Sequence, residues 1–175
     1  MCSSDLQACC AAAQHMLNAI ELQLQGAYGG DPKDIVIVVR GYMGEIAVAK
    51  TFNLGWFDHT RLGRVDVGDL IEVRSIDRPD YSLILHDKPK DPDDTPFVLA
   101  DVSALPRVRL VGWMCASDGR AAVNNEKTDP TGRNRWAYFV PQSAVGGDCR
   151  LLRRFAHQEI VKRLLQLEGG NGHQD

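Results

Sequence analysis

Residues 64–76 read Arg-Val-Asp-Val-Gly-Asp-Leu-Ile-Glu-Val-Arg-Ser-Ile, two short β-branched runs around Gly68-Asp69. This is the pattern of a tight β-hairpin, because Gly and Asp tolerate the positive φ angles that such a turn demands. Acids stand where apolar neighbours would be expected: Asp66 between Val65 and Val67, and Glu72 between Ile71 and Val73. Arg74 lies two residues beyond Glu72, hence on the same face of its strand. Whether Asp66 joins them depends on the tip. A two-residue turn, Gly68-Asp69, sets Asp66 opposite Ile71 and points it away from Glu72. A three-residue connection, Val67 to Asp69, sets Asp66 opposite Leu70 and on the side of Glu72 and Arg74. A site shared by Asp66 and Glu72 therefore requires the odd loop or a bulge, which Gly68 can supply through a positive φ, with Asp69 as the substitute ligand.

Upstream, Asp34 to Leu54 begins with a β-branched run but carries Val39, Met43, Ile46 and Ala49 or Lys50 at helical spacing. Asp31-Pro32 offers a start, so the segment reads as a helix. On it, Glu45 has Gly41, Tyr42, Val48 and Ala49 as its i−4, i−3, i+3 and i+4 neighbours. A carboxylate on so small and apolar a face needs a partner. Further upstream, Ser3-Ser4-Asp5 caps a run in which Leu6, Cys9, Ala13, Leu17, Ile20 and Leu24 recur at three- and four-residue spacing up to Gly29-Gly30. Residues 1–30 thus read as an amphipathic helix whose stripe serves packing or dimer contact.

Downstream, strands are expected at Tyr81–His86, Phe97–Val102, Val108–Met114 and Trp136–Pro141. The Pro- and Asp-rich stretch Asp87–Pro96 lacks the ordered ligands and glycine of a calcium loop and reads as a solvated hairpin tip. His86 reads as a strand-end surface or capping residue, and Trp113 and Trp136 as core side chains rather than base-stacking platforms. Residues 117–135 read as a long polar loop, and Leu151 to Leu165 as an amphipathic helix flanked by arginines. The domain proper is expected over 31–167, with a disordered tail at 168–175.

The 175 residues are 44% hydrophobic and 25% charged, ordinary for one soluble domain with one core. No window reaches the ~18 apolar residues of a membrane span, and the acidic N-terminus does not resemble a signal peptide. Cys2, Cys9, Cys10, Cys115 and Cys149 form an odd set without C-x-x-C spacing, which argues for reduced thiols in a cytoplasmic protein rather than disulfides or zinc. The net charge of −3 conceals a division: residues 1–102 carry −7 and residues 103–163 carry +6. Carboxylates gathered in one part and arginines in another can set a metal site beside a phosphate-binding surface. They can equally be a solvated surface with uneven charge.

The cluster itself admits two readings. Carboxylates around one point repel one another unless a cation intervenes, and oxygen ligands suit Mg²⁺ or Mn²⁺, which can generate and orient a hydroxide against a phosphate. Alternatively, Glu72 and Arg74 form an edge-strand ion pair and Glu45 meets some arginine.

The motifs Gly41-x-x-Gly44-Glu45-x-Ala47-Val48-Ala49, Val65-Asp66-Val67-Gly68 and Ile71-Glu72-Val73-Arg74, in that order and followed by FVLADV, VRLVGWM and YFVP segments, resemble the restriction-endonuclease-like PD-(D/E)XK nuclease superfamily. The resemblance spans about residues 35–155. It implies an α+β (α/β) fold, with a central mixed sheet flanked by helices, and Mg²⁺- or Mn²⁺-dependent hydrolysis of DNA phosphodiesters. It further implies Asp66 and Glu72 as metal ligands with the carbonyl of Val73, and Glu45 as the helical acid, binding directly or through water. Val65 replaces the usual proline, a turn-shaping position without a reacting group. Arg74 replaces the usual lysine and, being permanently charged, cannot act as a general base; it can still orient water and neutralise a phosphate. This departure leaves room for a member that has kept the fold and lost catalysis, binding nucleic acid or a protein instead. From charge alone, Arg120, Lys127, Arg133, Arg135, Arg153 and Arg154 are candidates to line a DNA path. A homodimer through the first helix would bring two sites together for a double-strand cut.

Overall fold

The computed structural model describes residues 32–56, 65–86, 91–130, 132, 136–147, 152, 154–159 and 162. The first amphipathic stretch and the tail, together with Arg133, Arg135 and Arg153, lie outside them.

Pro32, whose fixed φ and missing N–H suit a first helical turn, opens helix α1 (Pro32–Phe52). Its two buried rows do separate work. Val38, Tyr42, Met43 and Ile46 gather with Val39 and Trp56, while Val48, Ala49 and Phe52 reach the sheet. Lys50, allowed on the apolar face by its spacing, is exposed. The helix stops at Asn53, whose φ of 56° is left-handed. Leu54 N–H then bonds Ala49 C=O at 2.9 Å and Asn53 N–H bonds Lys50 C=O at 3.4 Å, the Schellman pattern that satisfies otherwise orphaned carbonyls.

Strands β1 (Glu72–Ile76), β3 (Pro96–Ala104) and β4 (Arg107–Cys115) form one sheet in the order β1-β3-β4, with β1 parallel and β4 antiparallel to β3. Strand β2 (Leu83–Leu85) pairs antiparallel with β5 (Tyr138–Val140). Helix α2 (Ala116–Ala122) follows β4 directly, and a 3-10 turn (Gln142–Ala144) follows β5. Residues 152 and 154–159 are helical, within the expected last helix. The fold is thus mixed α+β with a mixed sheet. Central strand β3 is buried from Pro96 to Val102, which is why its sequence runs apolar without alternation.

The two faces of this sheet have different cores. On one, Val73, Val98 and Ala100 pack against α1 together with Leu152 and Ala156. Contact is closest at Gly44, where a Cβ would stand 2.0 Å from Ser75 Oγ and 3.4 Å from Ala100 Cβ. On the other, Ile76, Phe97 and Leu99 pack with Leu83, Leu85, Ala116, Tyr138 and Val140.

Three expectations change. Part of the long polar loop is helix α2. Asp87–Pro96 is not a hairpin tip, because β2 pairs with β5 and β3 with β1 and β4; Asp91 within it is only 2% exposed. Trp113 does pack at the rim of the α1-side core, but Trp136 is 58% exposed, since it precedes β5 and never enters the layer.

Candidate functional site

The hairpin has the odd parity, by a register neither alternative specified. Val67 and Ile71 are bridge partners, exchanging N–H to C=O bonds at 3.0 and 3.1 Å, so the tip is Gly68-Asp69-Leu70. Leu70 N–H also bonds Val67 C=O at 3.1 Å, and both central residues take positive φ, 61° at Gly68 and 55° at Asp69. That combination belongs to the mirror-image type I turn. The pairing of Val67 with Ile71 puts Asp66 directly opposite Glu72. Such a flanking pair, without ladder bonds of its own, brings its side chains closest.

Beyond this point the ladder opens. Val73 N–H, next in line for a backbone acceptor on the opposing strand, bonds Asp66 Oδ2 at 2.8 Å instead. A strand residue's N–H and C=O point the same way, so the Val73 carbonyl also faces the Asp66 side of β1.

Glu72 and Arg74 share the face of β1 that looks away from α1. There Arg74 Nη1 donates to Glu72 Oε2 at 2.9 Å and Nη2 to Asp91 Oδ1 at 3.3 Å. Its guanidinium carbon lies 4.9 Å from the Phe97 ring centroid, a cation-over-ring contact, and Nε reaches Ile84 C=O at 3.4 Å. Asp91 Oδ2 also accepts His86 N–H at 2.5 Å.

Burial, and after it the neighbouring Asp66 carboxylate, pushes Glu72 up to about 7, while Arg74 pulls the other way. The rise reports first a carboxyl taken out of water and second a neighbouring carboxylate, which the one guanidinium does not fully offset. An Asp and a Glu under mutual repulsion, with a backbone carbonyl alongside, form an oxygen donor set that fits a hard dication such as Mg²⁺ or Mn²⁺, water completing the shell.

Glu45 does not join this pair as a third carboxylate. Helix α1 packs on the opposite face of the sheet, and Glu45 Oε2 accepts the indole N–H of Trp56 at 2.9 Å. Among the described residues no three acidic, histidine or cysteine side chains gather into a group that could hold a metal ion.

Arg120 is likewise displaced from its expected role. It is 6% exposed, and its guanidinium donates to the carbonyls of His86 at 2.9 Å and Asp91 at 3.1 Å and to Asp93 Oδ1 at 2.5 Å. It braces the segment that carries Asp91 rather than facing a ligand. Lys127 is exposed, its ammonium 5.7 Å from the Tyr138 ring centroid; Arg154 is exposed.

Asp91 is the site residue that sequence reasoning missed. Its signal was faint: one acid in a run of Asp and Pro, distinguished only by where the chain returns. Comparison of the chain with protein-family models, curated proteins and solved structures gave no match.

Proposed function

We propose that this chain is a metal-dependent phosphodiesterase acting on DNA, built on a restriction-endonuclease-like core. One observation carries the reading: the odd hairpin tip sets Asp66 and Glu72 side by side, with the Val73 carbonyl turned to the same edge and Arg74 adjacent. Asp66, Glu72 and the Val73 carbonyl would hold Mg²⁺ or Mn²⁺, whose role when bound is to lower the pKa of water and to polarise a phosphoryl oxygen. The chain's own residues do the rest. Val73 N–H holds the Asp66 carboxylate in place through Oδ2. Arg74, permanently protonated, stands with one guanidinium nitrogen on Glu72 and the other on Asp91. From there it can offer an N–H to a phosphate oxygen as negative charge develops. It takes no proton, so water activation falls to the ion or to a substrate phosphate.

A second reading has its own support. The Arg74 cation is bound by two carboxylates, and among the described residues no third acidic, histidine or cysteine side chain completes a group that could hold a metal ion. Both fit a member of this fold that binds nucleic acid or a protein without cleaving.

Incubation of the protein with supercoiled plasmid in Mg²⁺ or Mn²⁺ separates them. Nicking is expected, and Asp66→Ala and Glu72→Ala should each abolish it. Nicking that survives both changes overturns the site assignment; no nicking by the unaltered protein in either metal favours the binding reading.

A further inference from the structure

A groove of about 510 Å³ opens where the C-terminal turn of α1 meets the helical residues 154–159. Lys50, Asn53, Leu54, Arg154 and His157 are among its walls. The two permanent charges, Lys50 and Arg154, are both exposed cations, and no acidic side chain appears among the described residues lining it. Lys50 opposes the negative end of the α1 dipole, but that accounts for one cation and not for Arg154 arriving across the groove from another element.

The groove also adjoins the tip of the hairpin that carries the candidate site. Leu54, in its wall, lies 3.5 Å from where a Cβ on Gly68 would be. Next to it, Gly55 C=O accepts the Gly68 N–H at 3.1 Å. The hairpin tip that pairs Asp66 with Glu72 is therefore fastened to the end of this groove.

We infer that the groove seats the sugar-phosphate backbone of a DNA strand where it reaches the hairpin tip, Lys50 and Arg154 each meeting a phosphate. The inference rests on the nuclease reading for its choice of ligand. An open, cationic trough with an amide at Asn53 and an imidazole at His157 offers charge and hydrogen-bond donors without a closed pocket. This suits a polymer that must pass through, and backbone phosphates are the part of DNA such donors position.

The test is fluorescence anisotropy with a short labelled DNA duplex, titrated without divalent metal at several salt concentrations. Lys50→Ala/Arg154→Ala should weaken binding at low salt and reduce the slope of log affinity against log salt by about 2, since each lost phosphate contact removes ~0.9. Arg78→Ala/Arg107→Ala removes the same charge from exposed positions elsewhere and should change the slope by less than half as much. Equal effects of the two double variants, or an unchanged slope in the first, overturn the inference, as does the absence of DNA binding by the unaltered protein at low salt.

Plasmid nicking keeps the two ideas apart. If the slope falls as stated but no metal supports nicking, the groove stands and the nuclease reading fails. If nicking persists while the slope is indifferent to Lys50 and Arg154, the groove fails and the nuclease reading stands.

Discussion

Strand β1 has an ion pair at each end, and the two differ in almost everything but the kind of atoms involved. Just beyond its C-terminal end, Asp77 pairs with Arg40 of α1, both side chains more than a third exposed at 37% and 39%. At its N-terminal end Glu72, Arg74 and Asp91 are linked with side-chain exposures of 19%, 26% and 2%. The first pair keeps its water, and exposed pairs of that kind contribute little to stability. The second has given up most of its hydration, so each member depends on the others. A strand can carry surface electrostatics at one end and a committed polar network at the other.

The sharpest way to break this contrast is to remove the most buried member. Asp91→Ala should destabilise the fold by about 3 kcal/mol, because Arg74 loses a desolvated partner and His86 N–H its acceptor. Urea denaturation measures this, and a loss near that of an exposed site would contradict the network.

A smaller effect concerns protons. Glu72 is raised from 4.5 to about 7, so in the metal-free protein the folded state binds more protons than the unfolded one between those values. Stability should therefore fall as pH climbs from about 5 to about 8 and level off above, by an amount on the order of 1–3 kcal/mol. Asp66→Asn removes the carboxylate repulsion and should make this slope shallower without abolishing it, since burial is the larger cause, in chemical denaturation with EDTA present. A slope that is absent would contradict the raised Glu72, and one that Asp66→Asn leaves wholly unchanged would detach Glu72 from Asp66.

The smallest effect is expected at the other end of the strand. Asp77→Ala should cost less than about 1 kcal/mol, and 0.5 M salt should erase most of it. A larger, salt-insensitive loss would mean that the two ends are more alike than their exposures indicate.

How much of this was legible follows the same division. Helix α1, its start at Pro32 and the strands fell out of periodicity and turn residues, which are local. The hairpin's parity narrowed to two options and no further, because Gly68-Asp69 marks a turn without fixing how many residues close it. What decided it was the bridge between Val67 and Ile71. Asp91 and Arg120 were misread for a single reason. Both sit in polar stretches, where solvation is the natural expectation, and their burial depends on each other and on Arg74. Glu45 was read correctly as an acid in need of a partner; that the partner is the Trp56 indole depends on a chain reversal the helix does not encode.

The parallel pairing of β1 with β3 has a consequence for the order in which the molecule is made. Strands β3 and β4 are joined by a two-residue connection and can zip as a local unit. Strand β1 can dock on β3 only after the chain through residues 77–95 has turned back, a closure that topology makes slow. The hairpin carrying Asp66 and Glu72 can form early by itself, but Arg74 can meet Asp91 and the Phe97 ring only in the assembled sheet. The polar network is therefore expected to be among the last contacts to form as the chain folds.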